Sequence, residues 1–240
     1  MKLYTFYTDS HAEYLCDYFI PSLRDNFELV IYKKPQLSHT GVYMENGWID
    51  TMLYKVDTII SAIKENINTQ ALFIHSDIDI QFFGSVESDI LAAAKNYDMV
   101  FQKGARSINN GFFACVANEK TLQFWVEVKQ YMIENNAHDE RASKTLLRLP
   151  LEYYDDDNTA FEKFHNDYNI KWNYLPVEKF VGGQYIVESF ESQKLVDPPL
   201  ATLMHHATST LGYENKIRQL KHVKQFLILL VNAKQRYSKP

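Results

Sequence analysis

Residues 71–84 read ALFIHSDIDIQFFG: an apolar run from Ala71 to His75 leads straight into two carboxylates, Asp77 and Asp79, one residue apart. Side chains alternate along a strand and its extended exit, so both acids turn to one side, which His75 shares. Two like charges held that close repel and call for a cation or a proton between them. Carboxylate oxygens suit a hard divalent ion such as manganese or magnesium. An ion so held would in turn receive a diphosphate. The bland alternative is a solvated turn, or an acidic cap for the helix expected near Val86.

Outward from this stretch the pattern alternates. Lys2 to Tyr7 reads as a strand, and Ala12 to Ile20 as a helix ended by Pro21. Phe27 to Tyr32 is a second strand. Trp48, Met52, Val56, Ile59, Ile60 and Ile63 recur at helical spacing over Trp48 to Lys64. After the acidic strand, Val86 to Asn96 reads as a helix and Met99 to Gln102 as a strand. This order implies an α/β fold with a mostly parallel central sheet and helices on both faces. Ligands of such sheets bind beyond the carboxyl ends of strands, where Thr8, Asp9, Asp77 and Asp79 all fall.

The second half is less regular. Gly111 to Val116 reads as a strand, Glu119 to Asn135 as an amphipathic helix, and Asn136 to Leu149 as a polar, basic, mobile loop near the site. Thr159 to His165 reads as a short helix, Ile170 to Leu175 as a strand, and Tyr213 to about Lys234 as a long helix. Within it Lys216, Arg218, Lys221 and Lys224 precede FLILLV (residues 226–231), with Lys234, Arg236 and Lys239 after. Docking of its apolar stripe on the core is the first reading. Peripheral contact with an anionic membrane is the second.

The 240 residues suffice for a sizeable core, and the net charge of -5 argues against nucleic acid as a partner. Cys16 and Cys115 stand far apart and read as thiols of a reducing compartment, so a cytoplasmic location is expected. The longest apolar run, 226–231, is too short to span a bilayer. No GxxxxGK[ST], GxGxxG or HExxH pattern occurs, which removes P-loop, dinucleotide and zincin readings.

Taken in order, YTFYT, GWIDTMLYK, IHSDIDIQFF, NNGFFACV, DDDNTAF and HHATSTLGYENK resemble the GT-A glycosyltransferases of the nucleotide-diphospho-sugar transferase type. The resemblance runs from about Tyr4 to Leu220. It implies one Rossmann-like GT-A domain over 1–240: a nucleotide-binding half (1–105), a sugar and acceptor half (106–212) and a C-terminal helix (213–240). By the resemblance, Asp77 and Asp79 hold a metal, Mn2+ or Mg2+, with the donor's diphosphate. His206 of HHAT completes that site, and Thr208 stands where the family has Asn. His205 is the adjacent alternative, which an extended backbone would aim the opposite way. His75 reads as a core or supporting histidine.

The resemblance also assigns Lys216 to the donor phosphates, against a plain surface lysine. Thr8 and Asp9 fall in the turn that cradles base and ribose, and Lys55 contacts base or phosphate unless it is an exposed helix cation. Asn109 reaches sugar hydroxyls while Gly111 lets the backbone approach, although Asn-Gly also suits a turn. Asp157 faces the reacting sugar, with Asn158 where Gln is usual; Asp155 and Asp156 read as a solvated edge or a helix cap. Gly182 and Gly183 wall the acceptor side or form a simple turn. The implied activity is transfer of a sugar, with retention, from a UDP-sugar to a carbohydrate or other hydroxyl acceptor. Two alternatives use the same site: an inactive nucleotide-sugar-binding protein, and a metal-dependent nucleotidyltransferase or phosphohydrolase.

Overall fold

The alternating apolar residues of the strands divide between two cores, one on each face of a six-stranded sheet. In the computed structural model, which describes residues 1–37, 47–105, 107–137, 139–147, 168–189 and 191–237, the sheet has the order β2-β1-β3-β6-β5-β7. Its strands are β1 (Lys2–Tyr7), β2 (Glu28–Lys33), β3 (Leu72–Ser76), β5 (Met99–Lys103), β6 (Ile108–Val116) and β7 (Trp172–Tyr174). All run parallel except β6, which is antiparallel to both of its neighbours. β6 also begins three residues earlier than the expected Gly111.

On one face Tyr4, Phe73, Phe101, Phe113 and Cys115 pack against α2 (Trp48–Asn66), α4 (Glu119–Asn135) and α5 (Asp139–Leu146). Val56, Ile59, Ile60 and Ile63 of α2 are buried there, as their spacing requires. Trp125 of α4 stacks on Phe113 with ring centroids 5.2 Å apart, a geometry that adds about 0.5–1.5 kcal/mol to the area it buries. On the other face Leu3, Ile74, Val100, Phe112 and Ala114 meet α3 (Glu87–Ala94), the start of α6 (Tyr213–Tyr237) and a second, three-stranded sheet. That sheet, β4 (Ile80–Phe82), β9 (Met204–His206) and β8 (Phe180–Gly182), has strands too short to leave an alternation in the sequence.

Several sequence expectations change. The helix expected at Ala12 to Ile20 is present, but takes π geometry over Tyr14–Phe19 and runs on into α1 (Ile20–Ser22). Pro21 lies within α1 instead of ending the helix ahead of it. The preceding turn widens where proline has no N–H for the α-helical bond. The loop expected from Asn136 is, over its described part, α5, whose polar residues Asp139, Ser143 and Lys144 are buried. A loop reading followed from their polarity; packing against α4 and β6 overrides it. The short helix expected at Thr159 to His165 lies outside the described residues.

Along α6, Ile217, Leu220 and Val223 are buried, whereas Ile228, Leu229 and Val231 are exposed. The first half of the helix is therefore docked on the core, and Leu227 continues the contact against Val181, Ile186 and Val223. Among the described residues, no helix is long and apolar enough to cross a membrane.

Candidate metal and donor site

Asp77 and Asp79 lie in the short link between β3 and β4, at the carboxyl end of a sheet strand. The backbone N–H of Asp77 donates to the Gly111 carbonyl of β6 (2.6 Å), and the Asp79 carbonyl accepts from Ala207 N–H (2.9 Å). Ile80 pairs with His206 in the second sheet. These main-chain bonds bring three side chains together: one ligand atom from each of Asp77, Asp79 and His206 lies within 4.8 Å of the others. His206 Nε2 is 3.2 Å from Asp79 Oδ1 and 4.0 Å from Asp77 Oδ2.

Gln102, at the end of β5, orients that histidine. Its amide nitrogen donates to the Phe180 carbonyl (3.4 Å), leaving Oε1 to accept from His206 Nδ1 (2.9 Å). With the proton on Nδ1, the Nε2 lone pair faces the two carboxylates. Two carboxylate oxygens and an imidazole nitrogen form a donor set that fits manganese or magnesium. His205 points the other way, as alternation demands, with Nδ1 3.1 Å from the Val181 carbonyl and burial pulling it down to about 3. The group that could hold a metal therefore contains His206.

Two lysines serve the acids. Lys55 is buried, against the exposed-cation alternative, with Nζ 3.2 Å from Asp77 Oδ2 and 3.4 Å from Asp139 Oδ2. Lys216, in the first turn of α6, donates to Asp79 Oδ2 at 2.5 Å. Burial works to raise both carboxyls, and the cations win. Lys55 holds Asp77 below the usual carboxylate range, while Lys216 holds Asp79 well below it. His75 is buried with its Nε2 3.8 Å from Asp77 Oδ1; desolvation lowers it, so it stands neutral behind the acid.

Gly111 fits where no side chain could. A Cβ there would lie 2.6 Å from Asp77 Oδ2 and 2.9 Å from Asn109 Oδ1, and would also strike His206. The approach is made by a bulge: β5 residues Phe101 and Gln102 are consecutive, yet their β6 partners are Phe113 and Asn109. Asn109 caps the bulge by accepting from Gly111 N–H at 2.7 Å. Gly183 is more than a turn residue, because a Cβ on it would overlap the Thr208 carbonyl. Thr208 Oγ1 accepts from Gly183 N–H at 2.8 Å.

At the end of β1, Thr8 is buried, with Oγ1 3.4 Å from His11 Nδ1, whereas Asp9 pairs with Lys33 at 2.7 Å on the surface. His11 is lowered by burial and then by Lys216, with Asp79 and Asp77 opposing. Asp155, Asp156, Asp157 and Asn158 lie outside the described residues. The sequence reading missed Gln102, His11 and Asp139. A polar residue at the carboxyl end of β5 was a signal for the first, and its place one turn beyond β1 a signal for the second. Nothing local marks Asp139.

Comparisons with known proteins bear on the fold and the family. A glycosyltransferase involved in glycosylation of the major capsid of PBCV-1 superposes with a TM-score of 0.54 at 10% identity, covering 93% of this chain and 100% of that one. The glycosyltransferase GlyE of Streptococcus pneumoniae TIGR4 gives 0.51 at 12% identity, covering 99% of this chain, which spans 63% of GlyE's length. At such identities the likeness is one of fold, the GT-A type. No curated protein sequence matches the chain. The family model described as nucleotide-diphospho-sugar transferase matches residues 6–220. The chain belongs to the nucleotide-diphospho-sugar transferase family and is a glycosyltransferase.

Proposed function

We propose that this glycosyltransferase moves a sugar from a UDP-sugar to an acceptor hydroxyl, retaining the donor's configuration, with Mn2+ (or Mg2+) held by Asp77, Asp79 and His206. The observation that carries the reading is the convergence of those three ligand atoms within 4.8 Å around a histidine lone pair set by Gln102. When bound, the ion supplies Lewis acidity toward the diphosphate oxygens. Lys216, in contact with Asp79, is close enough to the acids to meet the charge that grows on the departing nucleoside diphosphate. Thr8 and Asp9 belong to the turn assigned to base and ribose, and Lys55 supports Asp77 from behind. Asn109 and Gly111 line the sugar side, where Asp157 and Asn158 are assigned to orient the reacting sugar. The bond from the anomeric carbon to the leaving phosphate oxygen breaks, the acceptor oxygen bonds that carbon, and the acceptor proton passes to the leaving phosphate. UDP and retention rest on the family resemblance.

A panel of nucleotide sugars hydrolysed with Mn2+ and with chelator tests the reading. Turnover of a UDP-sugar with Mn2+ is expected to fall at least about a hundredfold in Asp79→Asn. The anomer first seen by NMR reports retention, and an absence of metal-dependent turnover from every donor would overturn the proposal. An acceptor near anionic lipid is part of the same reading, supported by exposed Ile228, Leu229 and Val231 beside exposed Lys221 and Lys224. Anionic vesicles should sediment the full chain and not one ending at Gln225; equal recovery would end the membrane contact.

A further inference from the structure

The ladder between β5 and β7 ends at the pair Phe101 and Tyr174, with Leu175 N–H donating to the Phe101 carbonyl at 2.9 Å. Two residues on, the Lys103 carbonyl lies past that ladder, and the Gln184 side-chain amide donates to it at 2.8 Å. The ladder between β8 and β9 ends in the same way, at Gly182 and His206. Past it, Gly183 N–H donates to Thr208 Oγ1 at 2.8 Å, and that hydroxyl donates to Gln184 Oε1 at 3.4 Å. Thr208 N–H in turn donates to the His206 carbonyl at 2.8 Å.

These bonds close a circuit around His206. Gln102 turns its imidazole, Lys103 follows Gln102 in the chain, Gln184 holds Lys103, and Thr208 ties Gln184 back to the histidine's own strand. Side chains thus supply the rungs that backbone pairing lacks at the two strand ends carrying Gln102 and His206. Gly182 leaves room for this, since a Cβ there would lie 2.9 Å from both Cδ and Nε2 of Gln184. A metal ligand depends on the groups that fix its orientation. We propose that Gln184 and Thr208 are positioning residues: they clamp the ends of β5 and β9 together, so that Gln102 keeps the His206 Nε2 lone pair on the two carboxylates. The inference rests on the metal reading above and adds two residues which that reading does not use.

The test is Mn2+ affinity of the full chain, read from the electron paramagnetic resonance signal of the free ion, with melting by circular dichroism alongside. Gln184→Met keeps the length of the side chain and loses both bonds. It is expected to weaken Mn2+ binding about tenfold, the low end of the range for groups that orient metal ligands. Thr208→Val keeps the shape without the hydroxyl and should do the same, whereas Thr208→Ser, which keeps the hydroxyl, should stay within about threefold of the parent. In a Gln102→Met background, Gln184→Met should add less than about twofold, because members of one network do not act independently. Parent-like affinity in Gln184→Met or Thr208→Val would overturn the proposal, and so would effects of Gln102 and Gln184 that simply multiply. A lower melting temperature with unchanged affinity would mark a purely structural role and overturn it too. If Gln184→Met does not fold, the Thr208 pair decides: weak binding in Val restored in Ser supports the clamp, and equal affinities overturn it. A parent chain that binds no Mn2+ would instead remove the metal reading beneath. The clamp would then be judged by the 15N spectrum of the His206 ring, where loss of the Nδ1–H tautomer in Gln184→Met supports it and an unchanged tautomer overturns it.

Discussion

Gly111 shows what a single residue does for this site. Its φ is not positive, so the backbone would accept any residue there; space excludes the others. A Cβ would intrude between His206 and Asn109, which sit in strands, and Asp77, whose N–H is tied to the Gly111 carbonyl. Gly111→Ala should therefore push these groups apart, at a cost of about 1–3 kcal/mol in stability. Mn2+ affinity should fall at least about tenfold while the circular dichroism spectrum stays native. Affinity equal to that of the parent would show that the three side chains do not bind together. Both meanings of NNGFF, turn and close approach, were legible in the sequence. Which one applies depends on His206, ninety-five residues away in the chain, and no local pattern carries that.

At the scale of elements, β9 separates two adjacent histidines onto opposite faces. His206 meets the acids, and His205 is buried against Val181. A neutral imidazole pulled down to about 3 carries a pH signature. In the unfolded chain it takes a proton near 6.5, whereas in the folded chain it resists protonation down to its depressed value. Its contribution to stability is thus complete above pH 6.5 and is lost progressively as pH falls towards 3. At pH 5 the loss is about 2 kcal/mol, or a melting temperature lower by roughly 4–8 °C than at pH 7. His75, also lowered by burial, acts in the same direction. His205→Asn, which can keep the bond to Val181, should flatten the melting-temperature slope between pH 7 and pH 5; an unchanged slope would refute the assignment. The opposed faces of the two histidines were readable from period 2. The strand itself, three residues long, was not, because it exists only by pairing with β4 and β8.

For the whole molecule, the proposed centre joins the two sheets. Asp77 is bonded to β6 of the large sheet, Asp79 directly precedes β4 of the small one, and His206 ends its central strand, β9. A cation bound across that joint should stabilise the fold as a unit. At a Mn2+ concentration a hundred times the dissociation constant the gain is about 2.7 kcal/mol, which raises the melting temperature by about 5–10 °C. Chelator should reverse the rise, and Asp79→Asn should abolish it. Identical melting with Mn2+ and with chelator would mean that no divalent centre couples the sheets.

Order and chemistry along the chain were sufficient for the strand and helix alternation, the two apolar faces, and the pairing of Asp77 with Asp79. These are local: a period of two or 3.6 residues, and like charges one residue apart, act whatever the rest of the chain does. Only the tertiary structure decided that β6 runs antiparallel, that Lys55 is buried between two acids, that a polar stretch is helix α5, and that Gln102 turns His206. Each of these depends on contacts between residues remote in sequence. Their energy comes from burial and pairing once the chain has folded, and so leaves no periodic trace in the string of residues.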